Sequence, residues 1–358
     1  MQGENHNGIQ NGFRFEIGLL RILACLLVIC SHFVCLVIFN IDYEEWDSAN
    51  LLYICRTACV PLFLTITGIL TLNKEITLKK CLHSFLKFIA IYFIFAILYQ
   101  TIYDISLNGG LTLETLRIAY MYPKGHLWYL IEIAKIYLIL PILKAISVNE
   151  KALKTYLICW VSVSICLPGI VELLTGTVEW TGDFFFKITE WTATSDVFLY
   201  SGYLLLGYYL YYIHNECVSE RCLIVGFLVT ICTSFVISKI YFAMNQNLFN
   251  NIWNYNSLTA LFETYCLVMI FKIEGTRWHI SENHEKIIKT LSQETFGVYL
   301  IHAFFTEKFM GILTRKPFFL TALICVIIVY LICTIIVWLF DIMKKNIEKN
   351  VRKFLHNE

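Results

Sequence analysis

Long apolar blocks are the sequence feature that most limits how this chain can fold. About 20 apolar residues of helix are enough to cross a bilayer, and blocks of this length follow one another along the 358-residue chain. The blocks are uniformly apolar and lack the strong helical periodicity of a soluble bundle, and no long linker or repeat separates them. The sequence therefore predicts one all-α, polytopic transmembrane helical bundle.

We predict about ten transmembrane spans. They cover residues 17–39, 51–72, 82–105, 126–146, 153–174, 196–213, 223–243, 256–271, 287–310 and 318–340. The first block is too long for the core of a cleaved signal peptide, so we expect it to stay in the protein. The predicted organisation is a cytosolic tail (1–16), a transmembrane domain (17–341) and a basic cytosolic tail (342–358).

Composition supports a membrane protein and excludes other classes. Hydrophobic residues make up 58% of the chain and charged residues 15%, whereas soluble domains are about 25% charged. Most of the 14 cysteines lie in apolar runs without zinc-ligand spacing, so we expect buried thiols and no metal site. The net charge of +1 gives no indication of a nucleic-acid partner.

The distribution of basic residues predicts the orientation in the membrane. Alternate connections and the carboxyl-terminal tail carry most of the lysines and arginines, and the opposite connections are acidic or neutral. By the positive-inside rule both termini are cytosolic, in a multi-pass protein of the cytoplasmic membrane. The predicted cytosolic cations include Lys74, Lys79, Lys80, Lys144, Lys151, Lys154, Lys272, Arg277, Lys286 and Lys289. The opposite connections include Asp42, Glu44, Glu45, Asp47, Glu179, Asp183 and Glu190.

The first span holds two ionisable residues, which are costly inside a membrane. Arg21 and His32 are separated by about 16 Å of helical rise and by only about 20° around the helix. Cys25 and Val28 occupy the same stripe, which must therefore face protein or a cavity. A lone arginine is typical of an interfacial anchor and a lone histidine of a satisfied core residue. The aligned pair, however, favours a functional site.

Among the other ionisable residues inside predicted spans, four call for an explanation. Glu132 and Lys135 are one turn apart on one helix face, so they can neutralise each other as a structural ion pair. Glu263 and His302 have no such partner nearby in the sequence, although Tyr299 lies one turn before His302. These residues need either a structural partner or a function.

The second and fourth predicted spans carry further unusual residues. Pro61 lacks a backbone donor and Gly68 lacks a side chain, which is typical of a kinked and closely packed helix. Arg56 lies one turn before Pro61, toward the predicted outer side. In the fourth span, Trp128 and Tyr129 could form part of an interfacial aromatic belt.

An ordered set of motifs resembles the acyltransferase-3 family of membrane O-acyltransferases. The family patterns that the chain resembles include the first-helix signature and the Val-Pro-Leu-Phe-Phe-x-x-Ser-Gly motif. They also include the His-Leu-Trp-Phe/Tyr-Leu stretch that is followed by Tyr-Leu-x-x-Pro. In chain order the similar segments are Arg21-x10-His32, residues 60–70, residues 126–141, residues 202–209 and residues 296–302. The likeness therefore covers nearly the whole chain.

The resemblance implies an acyl-CoA donor on the cytosolic side, usually acetyl-CoA, and an acceptor hydroxyl on a glycan or lipid-linked sugar of the cell envelope. It also implies that His32 is the catalytic residue and that Arg21 is its partner. Acyl-CoA is then a co-substrate, and we expect no tightly bound cofactor. The remaining partner is the lipid bilayer, and the sequence leaves a homo-oligomer open.

Three positions depart from the family pattern. Thr67 replaces a serine, Gly18 replaces an acidic residue with Glu16 nearby, and lysines replace an arginine pair after the second span. The candidate donor-binding residues are Arg21, Lys87, Lys80 and Lys79. The candidate site-lining residues are Arg56, Thr67, His126, Trp128, Tyr129, Glu132 and His302.

Acyl transfer from a thioester to a hydroxyl suits a neutral histidine such as His32. The imidazole can take the alcohol proton as a general base or carry the acyl group transiently, and the sequence leaves both routes open. One alternative is a secondary transporter that uses Glu132, Lys135, Glu263 and His302. Such transporters show duplicated halves, and no internal symmetry is found here. Another alternative is an inactive membrane sensor of the same fold.

Overall fold

A computed structural model describes residues 13–39, 44–108, 117–118, 121, 124–177, 196–214, 218–245, 250–278, 280–313 and 317–355. The regular secondary structure in these ranges is helical, and no strand is present among them. The all-α fold class predicted from the apolar blocks is confirmed. Four of the acidic residues in the predicted outer connections lie outside the described residues: Asp42, Glu179, Asp183 and Glu190.

The described helices are numbered in chain order. They are α1 (Phe15–Ile38), α2 (Trp46–Cys55), α3 (Cys59–Thr71), α4 (Leu78–Asn108), α5 (Trp128–Ser147), α6 (Glu150–Trp160), α7 (Leu167–Thr177), α8 (Asp196–Tyr208), α9 (Glu220–Asn245), α10 (Asn250–Trp253), α11 (Leu258–Gly275), α12 (Glu282–Leu313) and α13 (Phe318–Leu355). A 3₁₀ turn (Gly125–Leu127) leads into α5. Two π-helical turns, Val161–Cys166 and Tyr209–Ile213, join α6 to α7 and extend α8.

Six helical stretches among the described residues are long and apolar enough to cross a membrane. They are Phe15–Cys35, Trp46–Thr71, Leu78–Ile105, Glu150–Glu172, Glu220–Met244 and Phe318–Lys349. A shorter apolar helix covers Val197–Ile213. The other predicted spans coincide with α5, α11 and α12, whose sequences include ionisable residues that lower their hydropathy. The chain is a multi-pass membrane protein, and the count of ten and the cytosolic termini stay predictions.

The second predicted span is broken near its predicted outer end. α2 ends at Cys55 and α3 begins at Cys59, with a turn between them. Pro61 lies in the first turn of α3. Backbone N–H groups in a first turn have no hydrogen-bond acceptor within the helix, so the missing N–H of proline costs the helix no bond. The span also starts earlier than predicted, so Asn50 is a buried helical residue and not part of a loop.

Two glycines let α3 and α8 touch through their backbones. A Cβ atom at Gly68 would overlap the carbonyl oxygen of Leu204, and one at Gly207 would overlap the carbonyl oxygen of Thr65. The two contacts are reciprocal. Gly68 lies one turn from Thr65 in α3, and Gly207 lies one turn from Leu204 in α8. The close approach predicted for Gly68 is confirmed.

Helix α1 occupies the centre of the bundle. It packs against α2, α3, α11, α12 and α13, while α4 packs on α5 and α8 packs on α3 and α5. By contrast, α4, α9 and α13 keep most of their apolar side chains on the outside, as helices that face lipid do. The aligned stripe of α1 is therefore turned toward protein.

Candidate active site

Helices α1, α3, α4, α5 and α12 surround a cavity of about 330 Å³. Its wall includes both Arg21 and His32, which come from the same face of α1. Val28 lines the cavity between them, whereas the Cys25 thiol packs 3.8 Å from the Thr295 carbonyl oxygen. Arg21 and His32, which share one stripe of α1, therefore also share one cavity.

One end of the cavity is basic, and we call it the basic end. Arg21 and Lys87 both line it, with the Tyr137 side chain from α5. Lys87 and Gln293 are exposed, as is Phe296 (38%), so the cavity opens between α4 and α12. A flexible cation at an open mouth is suited to meeting an anionic ligand.

The other end carries imidazoles and aromatic rings, and we call it the histidine end. His32 and His126 both line it. Trp128 and Tyr255 lie beside them with ring centroids 5.9 Å apart and an interplanar angle of 20°. Tyr129 also lines the cavity, and its ring centroid lies 5.7 Å from that of Tyr299.

A third histidine lies next to this end of the cavity. The His302 ring centroid is 4.9 Å from that of His32 and 5.1 Å from that of His126. His302 is fully buried and, unlike the other two, does not line the cavity. No group of three or more His, Cys, Asp or Glu side chains in the described part of the chain is arranged to hold a metal ion.

Hydrogen bonds to α12 fix the positions of two of these histidines. The His302 Nδ1 atom donates to the Tyr299 carbonyl oxygen at 2.7 Å, and the Tyr299 hydroxyl donates to the His126 carbonyl oxygen at 2.5 Å. The Tyr99 hydroxyl of α4 donates to the Leu300 carbonyl oxygen at 2.9 Å. One turn of α12 therefore joins the 3₁₀ turn before α5 to α4.

Arg56, a candidate site-lining residue, lies in the turn between α2 and α3 and does not line the cavity. Its guanidinium is buried, donates to the Trp253 carbonyl oxygen at 3.0 Å and lies 3.8 Å from the Tyr53 ring centroid. It also lies 5.3 Å from the ring centroid of Tyr255, which does line the cavity. Arg56 thus lies outside the cavity and packs against Tyr255, an aromatic ring of the histidine end. Nearby, the buried Glu263 accepts a hydrogen bond of 2.8 Å from the Thr57 hydroxyl.

Glu132 and Lys135 form the ion pair predicted from their spacing. The Lys135 Nζ atom lies 2.7 Å from the Glu132 Oε1 atom. Neither side chain lines the cavity. The geometry supports a structural role in α5, because two opposite charges in one span neutralise each other at a short distance.

The remaining candidates separate into two groups. Thr67 lines the cavity, with its hydroxyl donating to the Phe63 carbonyl oxygen at 2.7 Å. Lys79 and Lys80 are exposed at the start of α4 and do not reach the cavity. Of the four predicted donor-binding cations, the structure brings together only Arg21 and Lys87. Likewise, none of the four ionisable residues of the transporter hypothesis lines the cavity.

A comparison with protein families settles the class of the protein. The profile of the acyltransferase domain of the acyltransferase-3 family matches residues 14–339, which is most of the chain. The chain belongs to the acyltransferase-3 family. Together with its apolar helices, this membership makes it a multi-pass membrane acyltransferase. No curated protein and no solved structure gives a significant match.

Sequence reasoning missed several side chains that line the cavity of the acyltransferase. Tyr255 precedes α11 at the edge of a predicted span, and no pattern marks it as a site residue. Gln293 and Phe296 lie in the part of α12 whose polar residues only weaken the predicted span. Ser31 could have been found, because it precedes His32 in the sequence.

Proposed function

We propose that this acyltransferase moves an acyl group, usually acetyl, from cytosolic acyl-CoA to a hydroxyl of a glycan or lipid-linked acceptor. The observation that carries the proposal is the single cavity lined by both Arg21 and His32. A group-transfer enzyme must hold the charged part of its donor and its reacting atoms in one continuous space. This cavity provides the basic end for the charged part of the donor and the histidine end for the reacting atoms.

The donor phosphates are assigned to the basic end. Coenzyme A carries several phosphate charges, and Arg21 and Lys87 are the two basic side chains on the cavity wall. Arginine offers a bidentate fork to a phosphate, and lysine offers a point charge. Lys79 and Lys80, which the sequence also suggested, are better suited to orienting the chain against anionic lipid.

The separation of the two ends fits an elongated donor. Arg21 and His32 are separated by about 16 Å of rise along α1. In an acyl-CoA, the pantetheine arm is an extended chain that places the thioester far from the phosphates. With the phosphates at Arg21 and Lys87, the arm runs past Val28 and Tyr129 and brings the thioester to His32.

The acceptor is assigned to the histidine end. Trp128 and Tyr255 present large rings in this part of the wall, and the Tyr200 ring lies 5.6 Å from that of Trp128. A sugar ring has apolar C–H faces that pack on aromatic surfaces, and its hydroxyls need nearby polar groups. His32 and His126 supply such groups beside the aromatic rings.

The chemical step needs one group that accepts a proton and later returns it. As the acceptor oxygen bonds to the acyl carbon, a neutral His32 nitrogen takes the hydroxyl proton. The carbon–sulfur bond then breaks, and the coenzyme A thiolate takes the proton from the His32 imidazolium. In the second route the His32 nitrogen attacks the thioester first, and the carbon–sulfur bond breaks to release the coenzyme A thiolate. The acceptor hydroxyl then attacks the acyl-imidazole, the carbon–nitrogen bond breaks, and the hydroxyl proton ends on the thiolate.

A labelled donor distinguishes these two routes. Purified protein is mixed with radiolabelled acetyl-CoA in the absence of acceptor and is then denatured. Label that stays on the wild-type chain and is absent from His32→Ala marks the acyl-carrier route. A chain that retains no label without acceptor, but transfers label rapidly once acceptor is added, favours the general-base route.

The proposed function is tested by acyl transfer in membranes that contain wild type, His32→Ala or His83→Ala. His83 is an exposed histidine of α4 that does not line the cavity, so it is a matched control. Wild type and His83→Ala should transfer label from acetyl-CoA to membrane glycan or lipid, and His32→Ala should not. Equal transfer by His32→Ala, at equal expression, would remove His32 from the reaction.

A further inference from the structure

The buried His302 has a ring nitrogen without a hydrogen-bond partner in the described part of the chain. Its Nδ1 atom donates to the Tyr299 carbonyl oxygen at 2.7 Å. A carbonyl oxygen only accepts hydrogen bonds, so in the neutral ring Nδ1 carries the hydrogen and Nε2 carries a lone pair. Nε2 is buried and has no hydrogen-bond partner among the described residues.

A histidine that only packs in a core normally has both ring nitrogens satisfied, because an unpaired buried polar atom is costly. His302 is fully buried, yet one of its acceptors has no partner among the residues that the structure describes. The nearest ring to it is that of His32, at a centroid distance of 4.9 Å. At this centroid distance, rotation of the rings can bring one nitrogen of each imidazole within hydrogen-bond reach.

The two rings differ in their access to the cavity. His32 lines the cavity, whereas His302 lies outside its wall, next to His32. We propose that His302 is a positioning residue whose Nε2 accepts a hydrogen bond from the ring N–H of His32. This fixes the tautomer of His32 and leaves its other nitrogen bare toward the cavity. The inference rests on the proposed role of His32 and holds for both the general-base and the acyl-carrier route.

The arrangement follows the general logic of an activated imidazole. A catalytic base or nucleophile is commonly oriented by a third group that holds the correct tautomer and stabilises the cation formed during the reaction. Here the third group is itself an imidazole, and the Tyr299 carbonyl fixes its tautomer. Because the Tyr299 hydroxyl also holds the His126 backbone, a single residue of α12 sets the positions of both neighbours of His32.

The test compares two amides that imitate different parts of the imidazole. In His302→Asn the amide nitrogen takes the place of Nδ1 and keeps the bond to Tyr299, but nothing replaces the acceptor. In His302→Gln the amide oxygen reaches the position of Nε2 and can accept from His32. Thr306→Val, one turn further along α12, is the matched control because it removes a buried hydroxyl without changing the side-chain shape.

We expect kcat to fall about 100-fold in His302→Asn, with an unchanged KM for acetyl-CoA. His302→Gln should recover a clear part of that loss, and Thr306→Val should match wild type. The apparent melting temperature of every variant is measured in the same detergent, so that a loss of kcat can be compared with any loss of stability. His302→Ala is left out of the decision because the space that it creates would itself destabilise the protein.

The outcomes separate this inference from the proposed function. An unchanged kcat in His302→Asn overturns the inference. So do equal losses in His302→Asn and His302→Gln that follow a loss of stability, because that pattern indicates packing alone. If His32→Ala is inactive while both His302 variants are fully active, the proposed function stands and only the inference fails. If His32→Ala is active, both fail.

Discussion

Replacing Gly68 with alanine should loosen the contact between α3 and α8. The added Cβ atom would overlap the backbone carbonyl of Leu204, which cannot turn away as a flexible side chain could. Overpacking of this kind costs about 1–3 kcal/mol, and a backbone obstacle places the cost near the upper value. Alanine also gains about 1 kcal/mol of helix propensity over glycine. The expected net loss of stability is therefore about 2 kcal/mol.

Gly226 of α9 provides the matched control. A Cβ atom there would meet only the Cys266 sulfur, at an ordinary 3.8 Å. Gly226→Ala keeps the propensity gain without the overlap, so the gap between the two variants measures the packing cost itself, about 3 kcal/mol. Gly207→Ala should behave like Gly68→Ala. The double variant should lose less than the sum, because separating the helices once relieves both overlaps.

Thermal unfolding in a mild detergent measures the effect. A thiol-reactive dye reports unfolding, because many of the cysteines are buried in the fold. Apparent midpoints are compared at one scan rate, since membrane proteins often unfold irreversibly. A Gly68→Ala midpoint equal to or above that of Gly226→Ala would refute the close packing of α3 and α8.

Two further predictions concern charged side chains, and a third concerns orientation in the membrane. Glu132→Gln should cost about 2 kcal/mol of stability by removing the negative charge of the ion pair with Lys135, and neutralising both residues should recover much of it; a stable but inactive double variant would place the pair in the site. Lys87→Ala should raise the acetyl-CoA KM and lose most discrimination against a coenzyme lacking the 3′-phosphate, while Lys80→Ala keeps both at wild-type values; equal behaviour of the two variants would contradict the donor site. With exposed native cysteines removed, a cysteine at Phe39 should react with an impermeant reagent added outside, and labelling only after permeabilisation would reverse the predicted orientation.

The sequence predicted features that depend on helix geometry alone. The 11-residue spacing puts Arg21 and His32 on one face of any α-helix, and the structure places both on one cavity. The Glu132–Lys135 ion pair follows from the same periodicity. Gly68 was recognised because a missing side chain in an apolar span commonly marks close helix packing.

Features that depend on contacts between distant segments were not predictable. The turn at Arg56 is stabilised by the Trp253 carbonyl and by aromatic rings remote in sequence, so no local pattern marks it. His302 was recognised as unusual, but its approach to His32 depends on how α12 packs on α1. Lys80 and Lys87 look alike in the sequence, and only the tertiary fold separates an exposed cation from one at the cavity mouth.

The opening between α4 and α12 has a practical consequence for any study of this enzyme. Phe296 and Gln293 form part of a cleft in the side of the bundle, and the Phe88 and Phe296 rings lie 5.9 Å apart at it. In a micelle, detergent tails surround this flank and have access to the same apolar cleft. Rates measured in short-chain detergent would then include competition by the solubilising agent. Reconstitution into lipid nanodiscs is therefore the reference condition for kinetic constants, and detergent chain length becomes an experimental variable in its own right.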